Sequence, residues 1–120
     1  MIRASSLSIL LCSALLALPA AARDNSAPAP IEYLLQSISD SGCTFIRNGS
    51  EHSSIEAEKH LRMKYNRTRS RIRSAEAFID HLASQSSWTG KPYSVRCADR
   101  DAEPSRDWLY RLLEHYREAA

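Results

Sequence analysis

The sequence has 120 residues, of which 43% are hydrophobic and 25% are charged, and its formal net charge is +2. A chain of this length forms one domain with a thin core. Removing residues 1–22, whose only charge is Arg3, lowers the 16 basic side chains to 15 against 14 acidic ones. This balance argues against nucleic acid or an anionic membrane surface as a general electrostatic partner.

The first 22 residues have the pattern of a cleavable signal peptide. Arg3 precedes an apolar run over residues 7–18, and alanines at 20–22 provide small residues for cleavage after Ala22. A membrane anchor is the alternative, but the run is shorter than the roughly 20 apolar residues that span a bilayer. Cys12 lies inside the apolar run and follows Leu11, which argues against a lipoprotein signal. The sequence therefore predicts an exported chain with no membrane span after cleavage.

Two cysteines remain after cleavage, Cys43 and Cys97. An even pair in an exported chain predicts a disulfide, and closing a loop of this length would stabilise the fold by about 4 kcal/mol. A nucleophilic role for either cysteine would need a free thiolate, which an oxidising compartment disfavours.

The chain after the signal begins with a segment rich in Ala and Pro, residues 23–30, which predicts a flexible leader. The globular domain is predicted over residues 31–120. Apolar residues from position 31 onward recur at helical spacing, with Pro30 suited to the first turn and Gly42 to the position after the helix end. The stripe consists of Ile31, Leu34, Leu35 and Ile38.

A β-hairpin is predicted next, with Asn48 and Gly49 at its tip, because both tolerate the positive φ of a type I′ turn. In the first strand, residues 43–47, the face that carries Cys43 and Phe45 should be buried. Ser53 and Glu56 then have capping-box spacing and predict a helix start.

The helix that begins at Ser53 is predicted to carry Ala57, Leu61, Tyr65 and Thr68 along one stripe. Five basic residues follow within residues 64–73, which indicates a solvated helix end or, alternatively, an anion-binding patch. Ser74 is predicted to cap a third helix that ends near Gln85. Its apolar stripe contains Ala75, Phe78, Ile79, Leu82 and Ala83.

The remaining chain predicts a turn-rich loop over residues 86–92, a strand over residues 93–97 and a charged loop over residues 98–104. The strand alternates so that Cys97 shares a face with Tyr93, which is consistent with a bridge to Cys43. Ser105 is predicted to cap a last helix with one apolar side. The fold class is therefore α+β, with four helices on a small antiparallel sheet made of the hairpin and one strand, linked by one disulfide.

Cations and aromatic side chains near the hairpin suggest a ligand-binding surface. Arg47 could hold a carboxylate or phosphate group by a bidentate fork, with lysines as point charges. Two alternatives stay open: Arg47 pairs with Glu56 or Glu58 and only braces the hairpin, and Trp88 only covers the edge of the core. The candidate residues are Arg47, Asn48, His60, Lys64, Trp88, Lys91 and Tyr93.

An enzyme is the alternative class. Glu56 and His60 at i, i+4 spacing could share a metal in a small hydrolytic or metal-dependent enzyme, but a zinc site needs further ligands that the sequence does not offer. The other account of the pair is a contact on the helix surface. No catalytic or phosphate-binding motif is present, so neither a cofactor nor a catalytic residue is predicted.

Six motifs are spread over the chain after the signal. They are Cys43-x-Phe45-Ile46-Arg47-Asn48-Gly49, Glu56-Ala57, His60-Leu61-x-x-Lys64-Tyr65, Ser74-Ala75-Glu76-x-Phe78-Ile79, Ser86-Ser87-x-x-Gly90-Lys91-Pro92-Tyr93 and Trp108-Leu109. Together they resemble the YfeK-like family of small exported bacterial proteins, a domain of unknown function. The resemblance covers nearly the whole chain after the signal and implies a single-domain bacterial protein, located in the periplasm, without indicating an activity. The predicted function is a non-catalytic envelope module that binds an envelope protein or cell-wall component.

Overall fold

The structure is a computed structural model that describes Ser13 and residues 27–120. Over this part of the chain it contains four α-helices and a four-stranded antiparallel sheet, which confirms the α+β prediction. The predicted signal peptide, its cleavage after Ala22 and residues 23–26 of the predicted leader lie outside the described residues, Ser13 excepted. Across residues 27–120, no helix has the length and apolar character needed to cross a membrane.

Helix α1 (Ala29–Asp40) begins two residues before the predicted stripe and buries all four of its members. Pro30 lies in its first turn, as predicted. The residues just before the helix differ from the predicted flexible leader, because Ala27 is buried and its N–H donates to Glu32 Oε2 at 3.1 Å. Ala27 therefore packs with the domain.

The hairpin forms from β1 (Thr44–Arg47) and β2 (Ser50–His52), with Phe45 opposite His52. Asn48 and Gly49 have φ values of 50° and 79°, the left-handed conformations that the predicted two-residue turn requires.

The sheet has the order β2-β1-β3-β4. Strand β3 (Ser94–Arg96) pairs with β1, and the disulfide between Cys43 and Cys97 joins these two strands with a Cα–Cα distance of 4.4 Å, as predicted. The fourth strand, β4 (Glu103–Pro104), was predicted as loop. It pairs with β3 at the sheet edge, where a proline is tolerated because its missing N–H is not needed by a further strand.

Helix α2 (Ser54–Thr68) begins with the predicted capping box. The Glu56 N–H donates to Ser53 Oγ at 3.2 Å, and the Ser53 N–H donates to Glu56 Oε2 at 3.3 Å. Arg62 holds α2 against α1 by donating to both carboxylate oxygens of Glu32 and to Glu58. A short 3-10 turn, Arg69–Arg71, follows.

Helix α3 (Ala75–Phe78) is capped by Ser74, as predicted, and continues as a π-helical segment, Ile79–Ala83. The helical conformation ends there, two residues before the predicted end at Gln85. Ser84 Oγ donates to the Ile79 carbonyl oxygen at 2.6 Å, which closes this wider turn. Such π-helical turns are frequent at functional sites.

Helix α4 (Ser105–Ala119) buries Leu109 and Leu113. The predicted N-cap role of Ser105 is wrong: Ser105 is the first helical residue, and Pro104 occupies the cap position. The reason is the edge strand, because the Ser105 N–H donates to the Tyr93 carbonyl oxygen at 2.9 Å and continues the β4 pairing. The Ser105 hydroxyl is buried and has no hydrogen-bond partner among the described residues.

Candidate functional site

A groove of about 540 Å³ runs between the hairpin tip, α2 and the loop that precedes β3. We call it the cationic groove, because Arg47, Lys64 and Arg67 line it without any acidic lining residue. Six of the seven candidate residues lie in its wall. They are Arg47, Asn48, His60, Lys64, Trp88 and Tyr93.

The hairpin tip is fixed to the groove's loop by side-chain hydrogen bonds. Thr89 Oγ1 donates to Asn48 Oδ1 at 2.9 Å, and Asn48 Nδ2 donates to Ser86 Oγ at 3.4 Å. The Ser86 hydroxyl also accepts from the Trp88 and Thr89 N–H groups, each at 3.3 Å. These bonds hold the end of β1, and therefore Arg47, in a fixed position relative to the loop.

Arg47 is half-buried and forms no hydrogen bond or ion pair with the described residues. The predicted brace to Glu56 or Glu58 is not formed, because both carboxylates have other partners. Glu58 accepts from Arg62 at 2.6 Å, and Glu56 lies 3.5 Å from His52 Nδ1. The guanidinium therefore remains available to a ligand.

Lys64 reaches across the groove from α2 to the π-helical segment. Its Nζ donates to the Leu82 carbonyl oxygen at 2.7 Å and to the Tyr93 hydroxyl at 3.4 Å, and it lies 5.3 Å from the centre of the Tyr93 ring. Burial, with the charge of Arg47 as a smaller cause, lowers the pKa of Lys64 to about 8. Two cations thus lie close together without a carboxylate in the groove wall to neutralise them.

The same surroundings act on His60. Burial is the largest cause that lowers the pKa of His60 to about 4, and the charges of Arg47, Lys64 and His52 contribute to this shift in that order. The imidazole is therefore neutral at neutral pH.

This shift predicts a loss of stability in mild acid. The pKa of His60 in the unfolded chain, about 6.5, exceeds the folded value, so the unfolded state binds the proton first as the pH falls from 6.5 to 4. After allowance for solvent screening at this partly exposed side chain, the loss should be about 1 kcal/mol. Urea unfolding at pH 7 and pH 5 measures it.

The matched variants are His60→Gln and His81→Gln, the second of which changes an exposed histidine. The pH-dependent loss should be smaller by that amount in His60→Gln and unchanged in His81→Gln. An identical pH dependence in His60→Gln and the wild type would contradict the prediction.

The positions of two candidate residues, Trp88 and Lys91, differ from the sequence-based expectations. Trp88 is 97% exposed, so the alternative that it covers the core edge is wrong. It lines the cationic groove together with Met63, another exposed apolar side chain. Lys91 is exposed and is not part of the groove wall.

A separate apolar cavity of about 320 Å³ lies behind the groove. Arg47, His60 and Tyr93 line both spaces and form the boundary between them. The apolar part of the cavity wall includes Ile38, Phe45, Ala57, Leu61, Ala83 and Leu109.

Sequence reasoning missed two polar members of the cavity wall, His52 and Ser105. His52 Nε2 and Ser105 Oγ are buried and have no hydrogen-bond partner in the described part of the chain. The hairpin pattern contained a signal for His52, because its pairing with Phe45 places it on the buried face of the sheet. Ser105 carried no such signal, since its sequence context matched a helix cap.

Glu56 and His60 are the pair that the alternative enzyme hypothesis would use to share a metal ion. Glu56 and His60 both line the apolar cavity, but the Glu56 carboxylate closes the capping box and lies against His52. Within residues 27–120, no group of three or more His, Cys, Asp or Glu side chains is placed to hold a metal ion.

The fold and this site define a small disulfide-linked α+β domain in which a cationic groove adjoins an apolar cavity. A family model described as a family of unknown function, DUF5329, matches residues 25–117, and the chain belongs to that family. Over 81 residues it is 49% identical to the "Uncharacterized protein YfeK" of Salmonella typhimurium. The aligned residues make up 66% of this chain and 68% of the relative. The YfeK-like resemblance is thus confirmed. No solved structure matches the chain.

Proposed function

We propose that this protein is a non-catalytic binding module of the bacterial envelope, which holds an anionic group of an envelope component in the cationic groove. The signal-peptide pattern of residues 1–22 supports a periplasmic location after export. The observation that carries the proposal is the position of Arg47, a half-buried cation without a partner among the described residues, beside Lys64.

The chemistry of the groove favours a carboxylate or a phosphate. A planar guanidinium recognises either anion through two parallel hydrogen bonds, and Lys64 adds a nearby positive charge. Burial is the main reason that the pKa values of Lys64 and His60 are lowered, and an anion bound between Arg47 and Lys64 would offset the smaller part that comes from repulsion.

The arrangement of the possible acid and base supports a non-catalytic role. Glu56 is engaged in the capping box and with His52, so it is not free to work with His60 on a substrate in the groove. The groove residues instead supply charge, hydrogen-bond donors and the exposed ring of Trp88, which suits recognition.

A titration with inorganic phosphate tests this function. Binding is monitored through the NMR signals of Lys64, His60 and the Trp88 indole. Arg47→Gln should weaken phosphate binding about tenfold or more, because it removes a charge-assisted bidentate contact. The NMR pKa of Lys64 should rise when phosphate binds to the wild type.

Arg96→Gln is the matched control. It removes the same charge at the other end of the β1–β3 pair, where Arg96 donates to Glu51 at 2.8 Å. Phosphate should bind to this variant as to the wild type. Equal binding by Arg47→Gln and Arg96→Gln would overturn the proposed site.

A further inference from the structure

The structure points to the chemical class of the ligand: we infer that it is a single-chain anionic amphiphile, with its hydrocarbon chain in the apolar cavity and its carboxylate or phosphate monoester at Arg47. This inference rests on the proposed function, since it places the anionic group in the same groove. It adds the apolar cavity as a second binding region, for the hydrocarbon chain attached to the anionic group.

The first argument is the shared boundary. Arg47, His60 and Tyr93 line the groove on one side and the apolar cavity on the other. An anion held by Arg47 is therefore already at the entrance to the cavity. A chain attached to that anion can pass beside His60, which is neutral at neutral pH and so is not an obstacle to a hydrocarbon.

The second argument is the composition and size of the cavity. Its wall is largely apolar, formed by Ile38, Phe45, Leu61 and Leu109 among others. A volume of about 320 Å³ is near the lower end of small-molecule pockets and corresponds to roughly ten water molecules. That space suits one short chain, whereas a lipid with two long chains would exceed it.

The third argument is the pair of polar atoms with no partner in the described chain. Ser105 is only 2% exposed, and its Oγ and His52 Nε2 both belong to the cavity wall. Leaving such atoms without hydrogen bonds disfavours the empty state. Among the ligand's atoms, an oxygen of the head group is the one able to provide a partner, because Arg47, which holds the head, lines the same cavity as His52 and Ser105.

The fourth argument is charge. The groove wall contains cations and no carboxylate, so a cationic or uncharged head would lose the interaction with Arg47. In the cavity wall, Glu56 is the acidic residue, and its carboxylate lies beside His52. The head of the amphiphile is therefore anionic.

Calorimetric titration of the full protein with simple probes tests the inference. The chain-bearing anions are octanoate and octyl phosphate, and the anions without a chain are acetate and inorganic phosphate. Octanol and octyltrimethylammonium carry the chain without an anion. Octanoate should bind about a hundredfold more tightly than acetate, since burying several methylene groups contributes that much or more.

Ala57→Leu separates the two binding regions. Ala57 lines the cavity from α2, so the larger side chain fills the space for the chain without touching the cationic groove wall. This variant should bind octanoate no more tightly than acetate and should bind phosphate normally. Ala77→Leu changes a partly buried helical alanine outside the cavity wall and should bind all probes normally.

Folding of each variant is verified by thermal unfolding, and Ala83→Val, which narrows the cavity from the π-helical segment, repeats the test from another wall. If octanoate binds no more tightly than acetate to the wild type, while phosphate binding still requires Arg47, the inference is wrong and the proposed function stands. If octanol or the ammonium probe binds as tightly as octanoate, and Arg47→Gln has no effect, both are wrong. The inference is supported if octanoate binds more tightly than acetate or octyl phosphate binds more tightly than inorganic phosphate. Whichever of the two chain-bearing anions binds more tightly identifies the head group.

Discussion

Loss of the disulfide between Cys43 and Cys97 is expected to lower the free energy of unfolding by about 4 kcal/mol. The bridge spans 54 residues of sequence, and a loop of this length restricts the unfolded chain strongly. It also joins β1 to β3 beside the Thr44 and Arg96 pair, at the centre of the sheet. This loss is a large fraction of the roughly 5–15 kcal/mol that separates a folded domain from its unfolded state.

The double variant Cys43→Ala, Cys97→Ala measures this effect without a reducing agent. Its unfolding midpoint should fall by roughly 15 °C or more, and the wild type should show a similar fall when a reductant is added. The reductant should have no effect on the double variant, which provides the control. Two free thiols in protein produced under oxidising conditions, or an unchanged midpoint, would contradict the expectation.

The parts of the fold that the sequence predicted well are those specified by local chemistry. Asn48 and Gly49 favour one turn type, and Ser53 with Glu56 favours one helix start, whatever surrounds them. The disulfide was predicted from the count of cysteines and the predicted export of the chain, and strand alternation placed both cysteines on one face. These signals need no knowledge of tertiary packing.

The features that the sequence did not predict depend on which distant segments meet. Strand β4 exists because β3 offers a free edge to Glu103 and Pro104, and that pairing turns Ser105 from a cap into a buried helical residue. Similarly, Glu58 could have paired with Arg47, but α1 places Glu32 beside Arg62 and draws Glu58 into that cluster. Local pattern could not rank these competing contacts.

The candidate site shows the same division. Composition and proximity to the hairpin identified six residues that line the groove. The hairpin tip and α2 are near each other in sequence, and the hydrogen bonds of Asn48 with Ser86 and Thr89 hold the loop before β3 beside the tip. The apolar cavity had no sequence signal, since Phe45, Leu61 and Leu109 look like ordinary core residues. Unfilled volume results from imperfect packing of several elements and cannot be deduced from any one of them.

Truncation of the Leu109 side chain, which α4 contributes to the cavity wall, is expected to have the second large effect on stability. Leu109 is 1% exposed and contributes to both the core and the cavity wall. Leu109→Ala should lower the free energy of unfolding by about 3 kcal/mol, because the lost side chain leaves a space that the surrounding helices and sheet cannot fill. Urea unfolding followed by far-UV circular dichroism measures this loss.

Leu112→Ala is the matched control on the same helix, where the side chain is only partly buried and does not line the apolar cavity. Its loss should be near 1 kcal/mol, since less apolar surface returns to water. Equal losses at Leu109 and Leu112 would contradict the assignment of Leu109 to the core. Because Leu109→Ala also enlarges the cavity, decanoate should gain affinity over octanoate in this variant but not in Leu112→Ala, which links the stability of the core to the space that we assign to the ligand's chain.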